Sequence, residues 1–287
     1  MTRWLVTGAG GMLGRELAAL LPGATALDRA ALDITDPAAV KDAVAGRRVV
    51  INAAGWTDVD GAEAHEDAAT AVNGTGVAHL AEACAASRAV LVHVSTDYVF
   101  AGDAASPYPE DAPLAPINAY GRGKLAGERA VARLLPGTGY VVRTAWLYGA
   151  HGPNFVRTML RLAAGKDTID VVDDQLGQPT WTYPLAGRLV ELADAALDGR
   201  APAGTYHGTA SGQTTWYGLA REIFARRGLD PDRVRPTTSA AYPRPARRPH
   251  YSVLGHARWS AAGLAALPPW YDMLARALAD PAFSAEE

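Results

Sequence analysis

The 287-residue sequence predicts an α/β fold: a doubly wound parallel sheet carrying a smaller C-terminal lobe. Three observations predict it. Short runs that are apolar on both faces recur through the first two-thirds of the chain, as a sheet covered by helices on both sides requires. Helical segments alternate with these runs, which favours crossover connections over an antiparallel sandwich. From about Ser211 the alternation gives way to helices joined by a Pro- and Arg-rich loop.

The first strand, Trp4-Leu5-Val6, runs into Thr7-Gly8-Ala9-Gly10-Gly11-Met12-Leu13-Gly14, and a helical pattern follows from Arg15 to Leu21. Glycines at 8, 11 and 14 suit a sharp turn, a backbone open to a bulky anion, and a helix begun tight against the sheet. The helix N-terminus would offer unpaired N–H groups and a positive dipole end to a pyrophosphate. This G-x-x-G-x-x-G spacing is one residue longer in its first gap than the commoner G-x-G-x-x-G fingerprint, and alone it also fits a ligand-free turn. The next strand-like run, Ala24 to Asp28, supplies the further sign: an acid roughly 20 residues on, where a ribose hydroxyl is bound. Arg29 beside it could instead hold a 2′-phosphate, so NADPH and NADH both stay open. Leu32 to Asp36 is expected as a short third edge strand, ending in a helix cap with Pro37 in the first turn.

Further strands are expected at Val49–Ala54, Ala89–Ser95 and Gly139–Arg143, a helix at Ala186–Leu197, and a strand at Gly204–His207 returning to the sheet. A helix around Trp216–Arg227 and another from near Pro269 complete the chain. The expected organisation is a Rossmann-type dinucleotide-binding domain at 1–150, rejoined by about 181–208. A substrate-binding lobe takes about 151–180 and 209–287.

Composition narrows the partners. A net charge of −3 gives no general attraction to nucleic acid or to an anionic membrane. The lone Cys84, in an alanine-rich helical stretch, excludes an internal disulfide and a multi-cysteine metal site. No run approaches the roughly 20 apolar residues of a membrane span, and a cytoplasmic protein is expected.

The second informative constellation is Ser95-Thr96-Asp97-Tyr98 at a strand end, followed by Tyr120-Gly121-Arg122-Gly123-Lys124. Tyr120 and Lys124 fall one helical turn apart on one face. Carbonyl reduction needs a proton donor at the developing alkoxide, and a free phenol has a pKa of about 10. An adjacent ammonium is expected to draw that value down. Thr96, leaving the sheet's carboxyl edge, is placed to bond the same oxygen. A Tyr-x-x-x-Lys pair also arises in purely structural helices; the glycine loop and the hydroxyl-rich strand end favour chemistry. Gly121 and Gly123 each cost a helix about 1 kcal/mol against alanine, which suggests a close neighbour there.

These residues resemble the extended short-chain dehydrogenase/reductases and, within them, the dTDP-4-dehydrorhamnose reductase family. The likeness runs nearly end to end. It covers Asn52 to Asp60, Ser95 to Phe100, Tyr120 to Glu128, Arg143 to Gly149, Thr215-Trp216-Tyr217 and, most discriminating, Asp174 to Thr180 and Ala246 to Ser252. The resemblance implies Tyr120 as proton donor, Lys124 as its partner and ribose ligand, and Thr96 as the hydroxyl orienting the keto group. It implies a cofactor site in which Gly8 turns the loop and Gly11, Met12 and Leu13 cradle the pyrophosphate. Asp28 would take the adenosine ribose and Asp33 with Ile34 the adenine, while Gly55, Trp56, Thr57 and Val94 lie along the cofactor. Thr96, Asp97 and Trp146 would meet a dTDP-sugar. Some members hold a metal at a dimer contact through a glutamate matching Glu16, but its other ligands have no match here, and no metal is expected. A homodimer is implied by analogy, and Gly123 departs from the family's serine or threonine.

Arg244, Arg247 and Arg248 surround prolines in the second lobe. Fork-shaped donors suit a diphosphate, and Arg248 is the candidate, against a merely solvated basic loop. Asn154 and Phe155 are placed to close the pocket, while His93 and His207 are expected to be buried structural side chains. The implied reaction is NAD(P)H-dependent reduction of a 4-keto-6-deoxy sugar on dTDP. Its rivals are another nucleotide-sugar ketoreductase, an epimerase, and a non-catalytic reductase-like regulatory subunit.

Overall fold

A computed structural model describes residues 3–281; residues 1–2 and 282–287, the outer ends of the two expected units, lie outside the described residues. The chain begins with β1 (Trp4–Thr7), α1 (Met12–Leu20), β2 (Thr25–Leu27), α2 (Pro37–Val44) and β3 (Val49–Asn52). Next come α3 (Val59–Ala64), α4 (Glu66–Thr70), a π-helical turn at Ala71–Gly76, α5 (Val77–Ser87), β4 (Val90–Thr96), α6 (Ala119–Leu134) and β5 (Gly139–Thr144). Together with β10 (Gly204–His207) the first five strands form one parallel sheet, ordered β2-β1-β3-β4-β5-β10.

Alternate strand residues build the two cores. Val6, Ile51, Val92 and Val142 point to one face and pack with Leu13 and Leu17 of α1. Leu5, Val50, Leu91 and Val141 point to the other, against Val40 and Val44 of α2, Leu80 of α5 and Val131 of α6. Both layers exclude water, which is why the strands lack the polar alternation of a one-sided sheet. Cys84 is buried here, and burial raises its thiol to about 12, leaving it inert at neutral pH.

The third edge strand is not formed. Asp33 accepts hydrogen bonds from the backbone N–H and hydroxyl of Thr35, and Asp36 caps α2 through the N–H groups of Ala38 and Ala39. These local bonds hold a turn in place of a ladder. Without that strand, the strand order reverses between β1 and β3, the crevice where such sheets bind ligands.

Beyond β5 the chain gives β6 (Leu147–Tyr148), α7 (Phe155–Gly165), β7 (Ile169–Val172), β8 (Leu176–Gly177), β9 (Thr180–Trp181) and α8 (Thr182–Leu197), the last beginning four residues before its expected start. Leu185 and Leu189 of α8 join the core under α1. After β10 come β11 (Thr214–Thr215), α9 (Trp216–Arg226), β12 (Val234–Thr237), α10 (Ala257–Ala261) and α11 (Trp270–Ala279). β6 with β9, β7 with β12, and β8 with β11 form small two-stranded sheets. Among the described residues no helix is long and apolar enough to cross a membrane.

Candidate active site

The glycine loop lies at the reversal in strand order. Gly8 has φ +72°, and a Cβ there would collide with the backbone of Ala53 and Ala54 beyond β3. A Cβ on Gly14 would collide with the Gly8 carbonyl, so the helix starts hard against the loop. Gly11 caps α1 without a side-chain hydrogen bond, and the first turn carries no acid. The N-terminal N–H groups beside Met12 and Leu13 are therefore left without a side-chain acceptor, which fits a diphosphate. Leu13 itself is buried, while Met12 lies beside Gly149.

Around the loop, Asp28 follows β2 and accepts from the Ala31 N–H at 3.0 Å, and both Asp28 and Arg29 are exposed. Asp33 is exposed and its carboxyl held below the usual range by the bonds from Thr35; Ile34 is buried against Gly76 of the π-helical turn. The Gly55-Trp56-Thr57 segment is fixed by a residue the sequence did not single out. Asn73, fully buried in the π-helical turn, accepts from the Trp56 N–H at 2.9 Å and donates to the Trp56 carbonyl at 3.0 Å. Its only signal was an amide followed by glycine in a stretch of small residues; π-turns often mark functional sites.

Tyr120 and Lys124 both lie on α6. Gly121 allows their helix to press against the Tyr98 carbonyl, which a Cβ would strike; this is the close neighbour its helix-breaking character implied. The Tyr120 phenol is hydrogen-bonded with the Thr96 hydroxyl, and Thr96 donates to Asp97 Oδ1 at 2.9 Å. Lys124 Nζ donates to the Val94 carbonyl at 2.6 Å, and a Cβ on Gly55 would lie 3.8 Å from it. The structure thus brings Thr96, Asp97, Tyr120, Lys124, Val94 and Gly55 together.

One expectation is corrected. Lys124 does not draw the phenol down: burial raises Tyr120 to about 12, with the Asp97 charge adding to the rise and only the Thr96 bond opposing it. The reason is the water-free setting, which disfavours phenolate, while the ammonium is committed to a strand carbonyl. Burial in turn lowers Lys124 to about 8, with the Glu128 carboxylate opposing. Asp97 is raised to about 6 by burial, against hydrogen bonds from Ser252 and Thr96.

Trp146 adopts φ +48° and stacks on Trp216, with centroids 3.6 Å apart and planes 8° apart. One face of its ring is thus covered by protein. Trp216 and Phe155 instead line a groove of about 850 Å³ that continues along Met159, Leu162 and Val171 to Arg244, Arg247 and Arg248. Arg248 pairs with Asp60 at 3.0 Å, and the 64% exposed Arg244 lies 4.0 Å from the same carboxylate oxygen. Asn154 caps α7 through the Arg157 N–H. His93 is fully buried on Asn52, and His207 on the Gly255 carbonyl, as structural histidines. Among the described residues no group of His, Cys, Asp or Glu side chains is arranged to hold a metal.

Comparison with known proteins places this arrangement. Residues 2–282 match the family model described as the RmlD substrate binding domain. A dTDP-4-dehydrorhamnose reductase of Streptomyces griseus is 61% identical over 274 residues, covering 93% of this chain and 90% of the relative. A dTDP-4-keto-6-deoxy-D-glucose reductase of Streptomyces niveus is 50% identical over 291 residues, covering 99% of each. The crystal structure of a Bacillus anthracis dTDP-4-dehydrorhamnose reductase in complex with NADP superposes with a TM-score of 0.90 at 36% identity, covering 97% of this chain and 99% of that one. The chain belongs to the RmlD family, that of the dTDP-4-dehydrorhamnose reductases.

Proposed function

We propose that the chain reduces the C4 keto group of dTDP-4-dehydro-L-rhamnose to give dTDP-L-rhamnose, with NADPH or NADH as reductant. The observation that carries this reading is the Tyr120–Thr96 hydrogen bond beside Lys124, at the sheet edge where the glycine loop opens. A reduced nicotinamide dinucleotide, when bound, supplies the hydride. The N–H groups beside Gly11, Met12 and Leu13 would hold its diphosphate, with Gly8 keeping the turn open. Asp28 would hold the adenosine ribose, with Asp33 and Ile34 beside the adenine. Gly55, Trp56, Thr57 and Val94 would flank the remainder, and Lys124 would bond the second ribose.

Tyr120 gives its proton to the oxygen at C4. Its raised pKa keeps it protonated at any working pH, and an alkoxide is more basic still, so the transfer runs downhill. In the unliganded protein the Thr96 hydroxyl donates to Asp97; turned toward the substrate, the same proton would be donated to the oxygen at C4. Asp97 and Trp146 would contact the sugar. The groove suits the rest of the substrate: Arg248 and its neighbours for the diphosphate, Trp216 and Phe155 for the base. In this reading residues 1–150 with about 181–208 hold the cofactor, and the remainder of the chain holds the sugar nucleotide.

A second reading, another nucleotide-sugar 4-ketoreductase of deoxysugar synthesis, is favoured by the relative that reduces dTDP-4-keto-6-deoxy-D-glucose. A non-catalytic role finds no support in an intact Tyr120–Lys124 pair. The test is to follow NADPH and NADH oxidation with dTDP-4-dehydro-L-rhamnose and to identify the product sugar. Stoichiometric oxidation yielding dTDP-L-rhamnose is expected. Product formed without net oxidation would mean an epimerase, and no turnover would overturn the reading.

A further inference from the structure

Three consecutive residues of the arginine loop are tied to the helices that introduce Tyr120. Asp60, on α3, accepts from the Ala246 N–H through Oδ1 at 3.1 Å and pairs with Arg248 through Oδ2 at 3.0 Å. The other arm of Arg248 donates to the Ala246 carbonyl at 2.9 Å, so carboxylate, backbone and guanidinium close a ring. Asn118, only 1% exposed, divides its amide between two tasks. Its Oδ1 caps α6 through the Gly121 N–H at 2.8 Å, and its Nδ2 donates to the Arg247 carbonyl at 3.0 Å. One turn beyond Asp60, Glu63 accepts from the Ala119 N–H at 2.8 Å, the first residue of that same catalytic helix.

We propose that Asp60 and Asn118 are positioning residues that pin the arginine loop to the start of α6, so that the diphosphate of the sugar nucleotide meets guanidiniums already in place. The inference rests on the reading that this groove receives the diphosphate. A loop rich in proline and arginine, left untied, would lose conformational freedom on binding, and that loss would be subtracted from affinity. Pinning it in the unliganded protein removes the loss. Asp60 does this without cancelling the site's attraction: one carboxylate among the three guanidiniums of Arg244, Arg247 and Arg248 leaves two net positive charges for a doubly anionic diphosphate. Nor is Asp60 a temporary occupant to be expelled by phosphate, because leaving would also break its bond to the Ala246 backbone. An ordinary exposed ion pair contributes little. This one is partly buried, includes a main-chain donor, and is matched by a second, independent tie from Asn118.

The test compares four variants: Asp60→Asn, which loses charge but keeps an acceptor for Ala246; Asp60→Ala, which loses both; Asn118→Ser, which keeps a helix cap but is too short for Arg247; and Arg248→Ala as reference. Affinity for dTDP is read by calorimetry, kinetics by KM and kcat, and folding by thermal unfolding. Asp60→Ala is expected to weaken dTDP binding about tenfold, equivalent to about 1.4 kcal/mol. KM should rise with it, while kcat and NADPH affinity stay within about twofold. Asp60→Asn should lose less, and Asn118→Ser should raise KM in the same direction. If Arg248→Ala weakens dTDP binding while Asp60→Ala and Asn118→Ser leave it intact, or if kcat falls with affinity unchanged, the inference is overturned. If Arg248→Ala itself binds dTDP normally, the groove has been wrongly assigned and the positioning role falls with it.

Discussion

Lys124 Nζ sits 2.6 Å from the Val94 carbonyl, two residues before Thr96 on the same strand. The ammonium is thereby fixed to the strand that carries the Thr96 hydroxyl, and burial lowers its pKa to about 8. Tyr120, raised to about 12, stays protonated across the working range. In the proposed reaction the alkaline limb therefore belongs to Lys124, whose positive charge is lost as pH rises through about 8. Asp97, raised to about 6, gives the acid limb as it becomes protonated below that value. A plot of kcat/KM for reduction against pH should be bell-shaped between these values. Lys124→Arg, permanently charged, should flatten the alkaline limb at a lower rate. A profile level to pH 10 in the unmodified enzyme would contradict the assignment. Tyr120→Phe should lower kcat by roughly 10²–10⁴ with cofactor binding retained, as removal of a general acid does.

Gly14→Ala probes the proposed role of the glycine loop in holding the cofactor. The added Cβ would strike the Gly8 carbonyl and come within 2.8 Å of the Ala9 Cα, both backbone atoms of the loop itself. Overpacking of this kind costs about 1–3 kcal/mol, and the displaced loop should lose cofactor affinity as well. Gly23→Ala, with nothing within 4 Å of its added carbon, is the control. Thermal unfolding and cofactor titration should separate the two variants clearly; equal behaviour would mean that the loop does not hold the cofactor.

The strands were legible because their apolar runs have two cores to fill, and Leu5 beside Val6 or Val50 beside Ile51 can satisfy both only in a covered sheet. Hydrophobic pattern predicts an edge strand at Leu32–Asp36, but two aspartates close turns with neighbouring N–H groups, a local competition that the pattern does not register. Spacing points to Tyr120 and Lys124, but it carries neither burial nor the direction of Nζ, so the phenol's shift has the sign opposite to the one spacing predicts. Sequence pattern does not reveal the contacts of Asn73 and Asp60 for a different reason. Their partners lie elsewhere in the chain, Trp56 17 residues from Asn73 and Ala246 186 residues from Asp60, and the folded chain brings them together.

Beneath the site, Glu128 accepts from Ser95 at 2.6 Å and pairs with Arg143 at 2.8 Å, with both charged side chains at most 5% exposed. Glu128→Ala would leave the Arg143 charge buried without its partner, a defect that typically costs about 3–5 kcal/mol. Replacing both residues together, by Glu128→Leu with Arg143→Met, should cost less, because the Arg143 charge is removed with its partner. Urea unfolding of the single and double variants checks this. A double variant as unstable as the single would show that packing, and not the lone charge, governs the loss.

His207 sets how the fold responds to acid. Its Nδ1–H donates to the Gly255 carbonyl at 2.9 Å, and Arg143 lies 3.4 Å from Nε2. Burial first, and the Arg143 charge second, depress its pKa to about 3; His93 is likewise held well below the usual range by burial and by Lys124. The unfolded chain takes up these protons near the ordinary value of about 6.5, before the folded one does. The stability tied to neutral His207 is therefore complete above about pH 6.5 and is lost progressively as pH falls toward about 3. Asp97 acts in the opposite sense, since its raised pKa makes the folded state the better proton acceptor between about 6 and its unfolded value of 3.8. Two histidines outweigh one aspartate, so the melting temperature should fall steadily below pH 6.5. His207→Gln cannot be protonated; it should be less stable at pH 7 but show a shallower fall between pH 6.5 and 4. Melting curves for the two proteins that run parallel over this range would remove His207 as the cause.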